Sequence, residues 1–151
     1  MQNNGTPGAT SFDSIESKLP KYAFENTIYS DRPGVTGDNY WESERGFPQY
    51  IWMKFATPHR IAKLGFSSQS NAYAPTRFDI IGSSNCAAPW TVLRHVDDAG
   101  FTEWGQVKTW TVPLENRLAF TCIGLKIETS NRYDYPYIAV RQIQMWEWAG
   151  L

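Results

Sequence analysis

The chain has 151 residues, with 14 Lys and Arg set against 15 Asp and Glu, giving a net charge of −1. That balance supplies no basic field for nucleic acid or an anionic membrane surface, and a chain of this length buries about 68–70% of its unfolded surface, enough for one core without metal or disulfide staples. Aromatic residues make up 15% of the chain, with seven Trp, eight Tyr and eight Phe, more than a single small core needs, so some rings are expected at the surface.

Met1 to Thr10 has the Gly, Asn and Thr content of a flexible tail, and residues 1–18 are assigned to one, with a single domain over 19–151. The start lacks the basic and apolar regions of a signal peptide, and no run reaches transmembrane length. Localisation therefore stays open between an intracellular protein and a domain of a longer extracellular one. The Asn4-Gly5-Thr6 sequon carries no weight in that tail.

Strands are expected near 23–29, 49–56, 60–66, 77–82, 89–94, 107–112, 120–128 and 138–147. The second and third are clearest. Tyr50, Trp52 and Lys54 alternate with Ile51, Met53 and Phe55, then Ala62, Leu64 and Phe66 share a face. The short Thr57-Pro58-His59 connection between them reads as a hairpin turn. In the last strand Ile138 and Val140 share one parity and Ile143 and Met145 the other, which calls for a bulge near Arg141-Gln142. No helix-period stretch, internal repeat or second domain is present. Of the tryptophans, Trp41, Trp52, Trp90 and Trp110 are assigned to the core or a sheet face, Trp146 and Trp148 to cover at the chain end, and Trp104 to binding. Cys86 falls in a turn and Cys122 in a strand. Free thiols are the default reading, with a Cys86–Cys122 bridge as the alternative.

Pro48-Gln49-Tyr50-Ile51 followed by a strand, a turn and Arg60-Ile61 resembles the signature of discoidin domains, also called factor V and VIII C-type or galactose-binding-like domains. Further stretches fit in order: Ala23-Phe24-Glu25-Asn26 with Trp41-Glu42-Ser43, Phe78 to Ser84 with Trp90 midway, and Ile138 to Arg141. The resemblance spans roughly residues 20 to 148. It implies an all-β, eight-stranded antiparallel jelly-roll sandwich that binds a ligand with its loops. The blood-clotting members carry a disulfide joining the two ends of the domain, which this chain lacks.

Strand alternation assigns the loops to two ends without reference to any family. One end receives 57–59, 83–88 and 113–119. The other receives 30–48, 67–76, 95–106 and 129–137, the longer set and the richer in aromatic and hydrogen-bonding residues, where binding is expected. The candidate ligand residues there are Arg45, Asn71, Tyr73, His95, Asp97, Trp104, Arg132, Tyr133 and Tyr135. The Ser130 to Tyr137 segment supplies flat apolar faces with polar rims, which suit a pyranose whose C–H face and hydroxyl edge both need partners; the competing reading is a tyrosine-rich turn that only covers the sandwich end. Tyr73 has small neighbours and makes a poor lipid spike. Arg77 is assigned a structural pairing with a carboxylate such as Asp79.

His95, Asp97, Asp98 and Glu103 invite a catalytic or metal reading, but no nucleophile motif accompanies them, and the chain is read as not an enzyme. Relatives within the resembled family hold a structural calcium. The matching positions here are Glu25-Asn26, Thr36 or Asp38, and Gln142, a set short of carboxylates, so no cofactor is assigned, with a structural calcium as the alternative. The resulting expectation is a carbohydrate-binding, lectin-like module with a glycan or glycoconjugate partner. A protein-interaction or adhesion module using the same loops is the alternative, and phospholipid binding ranks third.

Overall fold

The computed structural model describes residues 5–11, 19–24, 40–68, 73–103, 105–131 and 137–150. Among these lie nine strands: β1 (Thr6–Ala9), β2 (Trp41–Glu42), β3 (Gln49–His59), β4 (Ile61–Ser68), β5 (Pro75–Ser83), β6 (Thr91–Val96), β7 (Val107–Thr111), β8 (Phe120–Ser130) and β9 (Ala139–Glu147). Two antiparallel sheets form, a five-stranded one in the order β1-β3-β8-β5-β6 and a four-stranded one in the order β2-β9-β4-β7. The all-β antiparallel sandwich expected from the alternating runs is the architecture observed.

Period-two alternation decides which side chains lie between the sheets. Ile51, Met53 and Phe55 of β3, Ile123, Leu125 and Ile127 of β8, and Phe78 and Ile80 of β5 face Leu64 and Phe66 of β4, Trp110 of β7, and Val140, Ile143 and Met145 of β9 in one buried cluster. Trp110 sits among Phe66, Phe78 and Phe101, with ring centroids 5.1, 4.8 and 6.1 Å away. Val140 and Ile143 both reach this core despite their opposite parity, because β9 carries the expected bulge. Gly65 pairs with Gln144 and Ser67 with Arg141, so Phe66 alone spans Gln142 and Ile143. Gln142 takes φ 54°, the left-handed turn that absorbs the extra residue.

The structure corrects four expectations. First, β3 and β4 do not form a hairpin: β3 pairs with β1 and β8, and β4 with β7 and β9. The β3–β8 register is irregular between Lys54 and His59, and there the chain passes from one sheet to the other. Parity alone cannot separate a hairpin from such a crossing, since both strands show their apolar face to the same core. Second, Thr6–Ala9, inside the segment assigned to a flexible tail, pairs with Ile51 to Lys54. The pairing supplies backbone partners that composition does not report, and the hydroxyls of Thr10 and Ser11 donate to the buried Gln49 carboxamide. Third, Cys86 and Cys122 form a disulfide, their Cα atoms 5.3 Å apart. Fourth, the strand expected over 23–29 does not begin at its first residue: Pro20–Ala23 is a 3₁₀ turn, and residues 25–29 lie outside the described residues.

Hydrogen bonds sort the connections into the two ends that alternation requires. At one end Thr121 donates to Ser84 O, Asn116 to Leu93 O, and Trp148 N to Arg60 O. At the other, Ala99 N donates to Thr76 O, Asn131 N to Ala74 O, and Ala139 N to Tyr73 O. Among the described residues no helix is long and apolar enough to cross a membrane.

Candidate functional site

Three chain segments converge at the long-loop end. Ser43 N donates to Ile138 O, the Ser43 hydroxyl accepts from Ile138 N, and Tyr73 O accepts from Ala139 N. The 43–48 loop is fixed from beneath by Gln49, whose amide donates to Glu44 O and Gly46 O at 3.3 and 2.8 Å. Gly46 takes φ 106°, a conformation a side chain would strain. Its neighbour Arg45 stays exposed.

Arg45 is the clearest polar feature of this end. Its Nε donates to the Tyr137 hydroxyl at 2.8 Å, and its guanidinium lies 5.6 Å from the Tyr137 ring centroid. That hydrogen bond raises the Arg45 pKa above its ordinary value. Among the described residues no carboxylate pairs with it, and the side chain is exposed. An open groove begins in the same loop, lined by Phe47, Pro48, Lys126 and Glu128. Phe47 offers an apolar face, while Lys126 and Glu128 lie 3.7 Å apart along the rim. A planar donor, an apolar floor and mixed charge suit a neutral or acidic polyhydroxylated ligand.

Tyr73 joins this assembly through its backbone and is half buried. Asn71, Trp104, Arg132, Tyr133 and Tyr135 lie outside the described residues, as do Glu25, Asn26, Thr36 and Asp38 of the calcium set. Gln142, the remaining calcium position, offers a neutral carboxamide at the β9 bulge. Among the described residues no three His, Cys, Asp or Glu side chains gather as metal ligands.

His95 and Asp97 belong to a different cluster. His95 lies in β6 rather than in a loop, and faces Asp79 across the strand pair. Its Nδ1 meets the largely buried Asp79 carboxylate, and its Nε2 lies 2.9 Å from Asp97. Hydrogen bonds to Asp79 and then to Asp97 raise the His95 pKa, and the bond to His95 lowers that of Asp97. Arg77 completes the cluster through Asp97, at 3.6 Å, rather than through the expected Asp79. Side chains so paired are held by one another, and Asp79 lies beside the groove residue Lys126 in the β5–β8 register. Phe101, which alternation places at the long-loop end, is buried against Phe66 and Trp110.

Sequence reasoning places Phe47 and Tyr137 at the binding end without selecting them as ligand residues, and passes over Gln49 and the Lys126–Glu128 pair as site components. Lys126 and Glu128 share the outward parity of β8, the available signal, but which strand lies beside them is a matter of topology.

No protein-family model and no curated protein sequence matches the chain. Solved structures do. A CBM32 module from Clostridium perfringens in complex with GalNAc-β-1,3-galactose aligns at 14% identity over 96% of each chain, with a TM-score of 0.69. The family 32 carbohydrate-binding module of C. perfringens NanJ in complex with galactose aligns at 14% identity, TM-score 0.70, over 95% of this chain and 94% of that one. Chitosan-binding module 2 from a Paenibacillus sp. IK-5 chitosanase/glucanase, in complex with chitotriose, aligns at 16% identity and TM-score 0.66 over 95% and 96%. The chain therefore has the galactose-binding-like sandwich fold of these modules.

Proposed function

We propose that this chain is a non-catalytic carbohydrate-binding module that takes its ligand at the long-loop end, around Arg45, Tyr137 and the Phe47-Pro48 groove. The observation that carries the reading is the Arg45 guanidinium, braced by the Tyr137 hydroxyl beside an open groove lined by Phe47, Pro48, Lys126 and Glu128. The fold supports it, since similar modules have been solved with galactose and chitotriose bound. A sugar ring laid on Phe47 exposes its hydroxyl rim to Arg45, Lys126 and Glu128. Each desolvated hydroxyl then finds a charged partner, the kind of hydrogen bond worth about 1.5–3 kcal/mol.

A glycan array followed by titration calorimetry tests this. Arg45→Ala is expected to weaken binding by about tenfold or more, one such bond being worth at least that factor. Tyr137→Phe removes only the brace and should cost less. Array silence, or an Arg45→Ala protein that binds like wild type, would refute the assignment.

A further inference from the structure

On the outer face of the five-stranded sheet, away from the core, three aromatic rings form one patch. Tyr50 and Trp52 point outward from β3, and Trp90 lies with its centroid 5.8 Å from each of theirs. All three rings are half buried. The patch is built by its surroundings. Trp52 pairs in register with Gly8 on one side and Gly124 on the other. Its indole lies over Gly8, where a Cβ would meet Trp52 Nε1 at 2.6 Å. Trp90 precedes β6, at the far side of the sheet from β3, and so reaches across the intervening strands. Cys122, on the outward parity of β8, fastens the 84–89 segment to this face through Cys86.

This patch continues the groove at the long-loop end. Tyr50 pairs with Lys126, which lines that groove, and Pro48 lies two residues before Tyr50 on the same parity. Along β3 and β8 the outward side chains therefore run from Pro48 and Glu128 through Tyr50 and Lys126 to Trp52 beside Trp90. From Pro48 to Trp52 the strand covers about 13 Å at roughly 3.3 Å per residue, longer than one pyranose ring.

We propose that this strip is a set of additional subsites for an extended polysaccharide chain, which enters at Arg45 and lies along β3 and β8 with its rings on Tyr50, Trp52 and Trp90. The proposal rests on the carbohydrate-binding reading and gives it a substrate class, the polymer chain as opposed to a single terminal sugar. The chemistry matches: aromatic faces cover the C–H faces of successive rings, and Lys126 and Glu128 interleave to meet their hydroxyls.

The probes are chitosan oligosaccharides and galactan oligosaccharides, each from disaccharide to hexasaccharide, titrated into the intact protein. The hexasaccharide of at least one ladder should bind about tenfold or more tightly than its disaccharide, with a change in tryptophan fluorescence that the disaccharide does not produce. Trp90→Ala should erase that gain and leave disaccharide affinity unchanged, whereas Arg45→Ala should weaken both. Trp52→Phe, which keeps a ring over Gly8, serves as a second variant should Trp90→Ala melt early. Equal affinity along both ladders, or a gain that survives in both tryptophan variants, overturns the strip while leaving the Arg45 site standing. A protein that binds terminal sugars on the array but neither ladder also overturns it, and silence of array and ladders alike removes both readings.

Discussion

Trp110→Ala is expected to cost about 3–5 kcal/mol, the range for truncating a large buried aromatic. Trp110 is 8% exposed and is the ring against which Phe66, Phe78 and Phe101 pack from two strands and a loop. Removing it opens a cavity that neither sheet can close, because β4 and β5 are each held by strands on both sides. The loss is a large part of the 5–15 kcal/mol that stabilises a typical domain. Urea titration followed by circular dichroism measures it, with Trp52→Ala as the comparison. Trp52 is half buried on the outer face, so its variant should unfold at higher urea than Trp110→Ala. Equal midpoints for the two would contradict the division between core and outer face.

Reduction of the Cys86–Cys122 bridge is the second large effect. The bridge closes a loop of sequence separation 36, for which constraint of the unfolded chain is worth about 3–4 kcal/mol. A Cys86→Ser, Cys122→Ser double variant should melt well below wild type, and dithiothreitol should lower the melting temperature of wild type but not of the variant. Two thiols titrating in the unfolded, unreduced wild type would show the cysteines to be free. The bridge holds residues on the outer sheet face, so tryptophan fluorescence should respond before the core unfolds.

Seven of the eight expected strands are present among the described residues, because runs of apolar and β-branched residues report burial, and the clearest of them, β3, alternates along one face. β1 escapes that test. Thr6, Pro7, Gly8 and Ala9 carry no apolar alternation, and the strand exists because β3 offers it an edge. The β3–β4 connection is misread for a related reason: a sandwich corner and a hairpin demand the same side-chain pattern. Pairing partners are a property of three dimensions.

The candidate site is legible in sequence by its end of the sandwich more than by its members. Alternation alone groups the loops as the backbone hydrogen bonds do, and Arg45 is among the residues it selects. His95 is drawn in by its neighbours Asp97 and Asp98, although its pairing with Asp79 across β5 and β6 places it in a strand. Tyr50 and Trp52 share a face of β3 by alternation, but Trp90 lies far from them in sequence, and only the sheet order and the Cys86–Cys122 bridge bring it to them.

The most direct test of ligand binding at the long-loop end is an amide chemical-shift titration of the isotope-labelled protein with the oligosaccharide that binds it best. Shifts concentrated at residues 44–48, 73–76, 126–128 and 137–139 are the predicted result. Shifts confined to 57–59, 83–88 and 113–119 would place the ligand at the opposite end and contradict the account.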